Sequence, residues 1–375
     1  MFHIFLCYDV ISIIIYYGDF MTIKPYGSTS GRNHGKPGKE IRPSSKTVDA
    51  HCHLHVQEAA DLVQGLFDQH DIPAFRHANQ ITTNQNIQQI NDRFMDLTNV
   101  ETRLKKMDSQ GIDLQVLIPV PFQHYCNIKS EVAFKAIETI NNKLSETANN
   151  RKDRFVALGT LPMQNGDIAV KEMERCVNEL DIRGFQIITF QDGKELSHPS
   201  YDGIWETATK LDIPIFLHPN GYPEGERLKD HYFINIIGNP MDTTAALHHL
   251  IFDGTMEKNP NLKIFVAHGG GYLPAYSARI DHAWGARPDC RGNNLKHKPS
   301  DYLKRMYFDT VVFSFDQLKY LVDKYGADHI IMGTDYPYDM AEDDPIEHVM
   351  GTEGLSKDQI EMITGGNACS LFKIK

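Results

Sequence analysis

The chain has 375 residues, 41% of them hydrophobic, and a formal net charge of −11. That length can bury a sizeable core, and one α/β barrel of about 250 residues enlarged by insertions accounts for it. The acidic balance excludes the basic face of a nucleic-acid binder. Six scattered cysteines without a CxxC pair exclude a disulfide framework or a zinc ribbon, so reduced thiols of a cytoplasmic enzyme are expected.

In chain order, Met1–Phe20 is apolar but carries Asp9 and Asp19 and has no Lys or Arg before its apolar run. It fits neither a signal peptide nor a span of about 20 uncharged apolar residues. Membrane contact is therefore not expected. Residues 1–46 read as an extension, either dispensable or a mis-assigned start with Met21 as the initiator, and residues 22–46, rich in Gly, Ser, Pro and Lys, as a flexible lead-in.

From Thr47 onward, short apolar runs alternate with longer amphipathic stretches. The runs are Thr47–Cys52, Asp113–Pro121, Phe155–Pro162, Gly184–Phe190, Ile213–Pro219, Lys263–His268, Met306–Val312 and His329–Asp335. Their Val, Ile, Leu and Phe content suits strands buried on both faces. Helices are predicted at Ser130–Asn149, Gly166–Leu180, Asp242–Lys258, Pro274–Trp284 and Ser314–Tyr325. Eight strands alternating with helices predict a (β/α)₈ barrel over residues 47–375. A doubly wound sheet is the alternative, but no GxGxxG turn follows the first strand. Two insertions, Val56–Val100 after strand one and Asn220–Met241 after strand five, fall on the rim where barrel active sites lie.

The polar residues that end these runs carry the chemistry. Strand one ends in His51-Cys52-His53, strand five in His218-Pro219, strand six in His268 followed by three glycines, and strand eight in Gly333-Thr334-Asp335-Tyr336-Pro337. Residues i and i+2 of a strand share a face, so His51 and His53 form a pair suited to a borderline-soft cation. An HxH alone is a weak signal. The bland alternative is a set of unrelated buried polar groups, which is costly without partners. One divalent metal ion, zinc foremost, held by His51, His53, His218 and Asp335 is the reading taken. His55 lies beyond the strand and reads as a loop histidine. His124 and Tyr125 follow strand two, where His124 is a candidate substrate contact, as is Asn220 after strand five. Asp309 ends a buried run and is placed to hydrogen-bond a metal-site histidine or to serve structure. Trp205 and Trp284 read as core. The glycines after His268 either let substrate approach the backbone or make a tight turn.

Longer runs make the pattern specific: Arg103–Asp108, Arg154–Gln164, Lys171–Val177, the HGGG from His268 and the GTDYP from Gly333. From about Val48 to the C-terminus the chain resembles the amidohydrolase superfamily, and within it the metal-dependent decarboxylase branch typified by aminocarboxymuconate semialdehyde decarboxylase. The resemblance implies His51, His53, His218 and Asp335 as metal ligands and His268 as general acid/base rather than ligand. It implies non-oxidative decarboxylation of an unsaturated or aromatic carboxylic acid. It also implies a homodimer in which Arg279 reaches the neighbour's site and pairs with a substrate carboxylate. The alternative is hydrolysis of a lactone, ester or amide by water activated at the same ion. Departures fall in the pocket. That decarboxylase group has Trp after the strand-five His-Pro and again on the loop beyond; here Asn220-Gly221-Tyr222 follow and the insertion has no Trp. The group's substrate-binding Arg in the first insertion has only Arg93 and Arg76 as candidates. Strand four lacks the Lys that bridges two metals elsewhere in the superfamily, which favours one ion.

Overall fold

A computed structural model describes residues 26–191, 193–293 and 295–375, and for Ser130 the backbone alone. The apolar run Met1–Phe20 lies outside the described residues. The eight predicted runs are eight parallel strands: β1 (Val48–Leu54), β2 (Leu114–Pro119), β3 (Phe155–Ala157 and Gly159–Thr160), β4 (Phe185–Ile188), β5 (Pro214–His218), β6 (Lys263–Val266), β7 (Tyr307–Asp309) and β8 (Ile330–Ile331). β1 pairs with β2 and β2 with the first half of β3, whose second half continues through β4, β5, β6 and β7 to β8. Leu158 joins the halves, donating to Leu117 O at 2.9 Å. The ring closes between β8 and β1, where Ala50 N–H donates to Met332 O at 2.9 Å, His53 N–H donates to Tyr336 O at 2.7 Å, and Cys52 bridges Tyr336. Closure leaves no unpaired sheet edge.

Helices cover the outside as the 3.6-residue periodicity predicts, including Ser130–Asn150, Gly166–Glu179 and Phe315–Tyr325. Asn165 caps the second of these by accepting from the backbone N–H groups of Asp167 and Ile168. The predicted Asp242–Lys258 helix is two, Asn239–Phe252 and Thr255–Lys258, with Gly254 left-handed between them. The predicted Pro274–Trp284 helix is likewise split into Leu273–Tyr276 and Ala278–Ala286. β7 and β8 are shorter than their apolar runs because the chain leaves the ladder to build the mouth: Asp335 has φ 63°. Inside, Phe216 stacks on Phe265 at 4.5 Å, and Phe265 meets Phe372 of the C-terminal segment, an apolar floor under the mouth. Each such ring contributes about 1.5–3 kcal/mol by burial. Trp205 is core, whereas Trp284 is half-buried beneath Arg291.

Of the lead-in read as flexible, the described residues 26–46 are packed. Residues Gly38–Ile41 form a helical turn, and Arg32 buries its guanidinium against Glu342 and Glu347, with both Arg32–carboxylate contacts under 3 Å. Composition pointed to a loose segment; two buried acids with one cation between them hold it. Among the described residues no helix is long and apolar enough to cross a membrane.

Candidate metal centre

β1 carries a register irregularity between Asp49 and Cys52, of the kind that re-aims side chains beside active sites. His51 and His53 both turn into the mouth, with Nε2 atoms 3.3 Å apart. Asp335 Oδ1 lies 3.3 Å from His51 Nε2, 3.0 Å from His53 Nε2 and 3.9 Å from His218 Nε2. The edge of a tetrahedron with ligand distances near 2.0–2.1 Å is about 3.4 Å. The four donor atoms lie within 4.8 Å of one another and all four residues are buried.

What surrounds the rings decides which nitrogen faces inward. His51 Nδ1–H donates to Asp309 Oδ2 at 2.6 Å, His53 Nδ1–H to Pro119 O at 3.0 Å, and His218 Nδ1–H to Pro219 O at 2.7 Å. With every Nδ1 engaged outward, every Nε2 lone pair converges. His218 Nε2 is buried with no hydrogen-bond partner, an acceptor that a cation would satisfy. These donors therefore fit one divalent ion. Burial holds His53 and His218 below the usual imidazole range; His51, against the same burial, is pulled up to about 10 by Asp335 and Asp309, so its Nε2 would give up a proton to take a cation. Asp335, despite its burial, sits well below the ordinary carboxylate range because the imidazoles face it. The carboxylate is thus ionised and ready to ligate. Asp309, read from the sequence either as a partner of a metal-site histidine or as structural, bonds His51 and also accepts from the backbone N–H groups of His268 and Gly269.

His268 stands beside the four. Its Nε2 is 3.4 Å from Asp335 Oδ2, its ring is 5.1 Å from that of His218, and its Nδ1 has no partner. His268 and the three glycines after it all have positive φ, so the run is a tight turn. A side chain at Gly270 would collide with Phe308 and Pro274. A cavity of about 540 Å³ opens from His268 and Asp335 toward Tyr272, Val312 and Tyr320. A narrower one runs from His218 and Asp335 past Phe75, Phe122, Asn220 and Tyr232.

Asn220 lines that narrow cavity. Arg279 is exposed, on Ala278–Ala286, and has no ion pair among the described residues. His124, expected against substrate, is instead buried with both ring nitrogens engaged, by Thr160 at 2.7 Å and Gln186 at 2.8 Å, and lines neither cavity. Burial drives it down to about 3, so the ring is neutral. Neither candidate arginine of the first insertion reaches the mouth. Arg76 is spent on the carbonyls of His70 and Asp71, and Arg93 on Asp96 and the face of Tyr26. Tyr232, Tyr338 and Asp339, which sequence reasoning missed, also line the narrow cavity; they sit in loops where no periodicity marks them.

Known proteins are similar to this chain. A decarboxylase of Dictyostelium discoideum, 2-amino-3-carboxymuconate-6-semialdehyde decarboxylase, is 32% identical over 72% of this chain and 75% of its own. Gamma-resorcylate decarboxylase of Rhizobium sp. (strain MTP-10005) is 30% identical over 76% of this chain and 90% of its own. The crystal structure of dihydroxybenzoic acid decarboxylase from Polaromonas sp. JS666, with bound manganese and 2-nitroresorcinol, superposes with a TM-score of 0.73 at 26% identity, covering 88% of this chain and 97% of that one. The family pattern described as Amidohydrolase runs over residues 48–374, from the first barrel strand to the C-terminal segment; this chain belongs to the amidohydrolase family.

Proposed function

We propose that this chain is a metal-dependent decarboxylase that releases carbon dioxide from an aromatic or unsaturated carboxylic acid without oxidation. The observation that carries the reading is the convergence of three imidazole Nε2 atoms and Asp335 at the barrel mouth, with His268 beside them at the wall of an open cavity. His51, His53, His218 and Asp335 hold the ion. Three nitrogens and one oxygen suit zinc. When bound, the cation supplies a Lewis acid that polarises substrate oxygen atoms.

His268 works as general acid/base, because its ring lies at the cluster edge with Nδ1 unpaired. As imidazolium it delivers the Nε2 proton to the carbon that bears the carboxylate. The bond to the carboxyl carbon then breaks, its electron pair restores the unsaturation, and carbon dioxide leaves. The product carries hydrogen in its place, and His268 is neutral until it regains a proton. Asn220 gives a polar contact in the narrow cavity, whose rings Phe75, Phe122 and Tyr232 suit a flat apolar body.

The working assembly is a homodimer. Tyr276, Ile236 and Tyr272 expose 67%, 49% and 42% of their surface near the wider cavity, and Arg279 lies beside them in sequence. A neighbour covering this face receives Arg279, which grips a second substrate carboxylate by a two-pronged hydrogen bond. Residues 47–375 act as one domain, with residues 26–46 as its strap. Free thiols at Cys52, Cys176 and Cys369 suit the cytoplasm.

The test is to give full-length, metal-replete protein a panel of carboxylated phenols, muconates and lactones, recording carbon dioxide release and ring opening separately. Carbon dioxide from an acid supports the reading; lactone opening without carbon dioxide sinks it. His268→Ala should keep its metal and lose about 10²–10⁴-fold in turnover. Loss of metal from that variant would make His268 a ligand.

A further inference from the structure

The bond that orients His53 does not end at the carbonyl that receives it. Pro119 O accepts from His53 Nδ1 at 3.0 Å and also from Gln186 Nε2 at 3.0 Å. The other N–H of the same amide reaches His124 Nε2 at 2.8 Å, and His124 Nδ1 meets Thr160 Oγ1 at 2.7 Å. Thr160 is fixed in turn by Asn141, which accepts from its N–H at 2.8 Å and donates to its carbonyl at 3.0 Å. His53, Gln186, Thr160 and Asn141 are wholly buried, and His124 is 2% exposed.

The chemistry allows one arrangement of protons. Turning the Gln186 amide over would set its oxygen against the Pro119 carbonyl, two acceptors in contact. The NH₂ group must therefore face both Pro119 and His124. His124 Nε2 is then an acceptor, so its single ring proton sits on Nδ1 and is donated to Thr160. Gln186 Oε1 is left buried without a partner. A buried unpaired acceptor is costly, and here it accompanies an amide held in place for its two N–H groups. We infer that Gln186 and His124 are positioning residues: they fix the Pro119 carbonyl and, through it, the direction in which His53 presents Nε2 to the metal.

This rests on His53 being a metal ligand, and the experiment separates the two claims. Full-length protein is loaded with Co²⁺, and its visible ligand-field absorption and its Co²⁺ affinity, by chelator competition, are measured. His53→Ala is the check on the premise: retained affinity there would remove His53 from the ligand set, whatever the other variants do. Gln186→Met and His124→Phe keep the volume and delete the relay. Both are expected to weaken Co²⁺ binding about 10–100-fold and to shift the absorption band. His124→Gln, which keeps a side-chain acceptor, should fall between them and the parent, and serves alone if the other two do not fold. Ile251→Val, a buried core change on the helix Asn239–Phe252, which carries no member of the relay, should lower stability and leave the band in place. If the relay variants only melt earlier, with affinity within twofold of the parent and an unmoved band, Gln186 and His124 are core packing and the inference is wrong.

Discussion

Replacing Arg32 with Leu removes the one cation between two buried acids and tests how the N-terminal strap is held. Nη1 and Nη2 fork onto Glu342 at 2.7 and 2.9 Å, while Nε and Nη2 reach Glu347 at 3.0 and 2.9 Å. Nη1 also donates to Phe313 O at 3.2 Å. The three side chains are 2%, 0% and 4% exposed. Glu342 in turn donates its N–H to Thr334 O at 2.7 Å, next to Asp335, so the strap braces the loop that carries a metal-site carboxylate. Leu fills similar space but takes the guanidinium from both buried carboxylates, leaving the His34 ring 3.4 Å from Glu347, a loss of about 3–5 kcal/mol. An unfolding entropy of about 2 cal/mol/K per residue gives about 0.8 kcal/mol per degree at this length, so Tm should fall by about 4–6 °C. Glu347, despite burial, is held below its ordinary 4.5 by the Gly35 N–H and by Arg32. A carboxyl lowered in the folded state contributes stability that is present above its unfolded value and is lost as pH falls through the folded one. The gap between parent and variant should therefore be full at pH 7 and narrow below about pH 4.5, where protonation discharges Glu347. Thermal unfolding followed by circular dichroism at the two pH values measures this. Arg32→Lys, a point charge without the fork, should recover part of the loss, and Glu342→Gln with Glu347→Gln should recover more in the Leu background. A Tm at pH 7 within about 1 °C of the parent would show that the buried pairs do not hold the strap.

Three further outcomes are expected. Asp309→Asn weakens the acceptor that receives His51 Nδ1–H at 2.6 Å, and metal affinity by equilibrium dialysis should drop about 10–100-fold with the fold intact; an unchanged affinity would count against the role given to Asp309. Asp242 is pushed up to about 7 by burial, against the opposing hydrogen bond from Thr189. An acid raised in the folded state costs stability as pH rises from its unfolded value, so Asp242→Asn should gain on the parent from about pH 4 to about pH 7 and then level off in urea titrations, a flat difference being the contrary result. Gly365→Ala drives a methyl group into the Lys46 carbonyl oxygen and should cost about 1–3 kcal/mol in the same titrations, whereas an unaltered midpoint would mean the backbone gives way freely.

The sequence by itself determined the strand count, their parallel order and which polar residues stand at their ends. Those features are local: two-faced burial makes an apolar run, period two places His51 with His53, and a polar residue directly after such a run falls at the mouth. The extents of the five named helices were legible for the same reason, two of them being split at a left-handed Gly254 or at Ser277, whereas Gln80–Asp92, Val100–Gln110 and Asp202–Leu211 were not among them. Tertiary structure alone decided the rest. Asp309 meets His51 across 258 residues, and no periodicity records which carboxylate a ring nitrogen will find. His124 has the residue type and place of a substrate contact, yet the approach of β3 and β4 gives both its nitrogens to Thr160 and Gln186. A stretch rich in Gly, Ser and Pro reads as loose because composition registers low apolar content. Its order comes from arginines finding distant acids, Arg32 with Glu342 and Glu347 more than 300 positions away and Arg42 with Asp113, pairings that exist only once the barrel has closed.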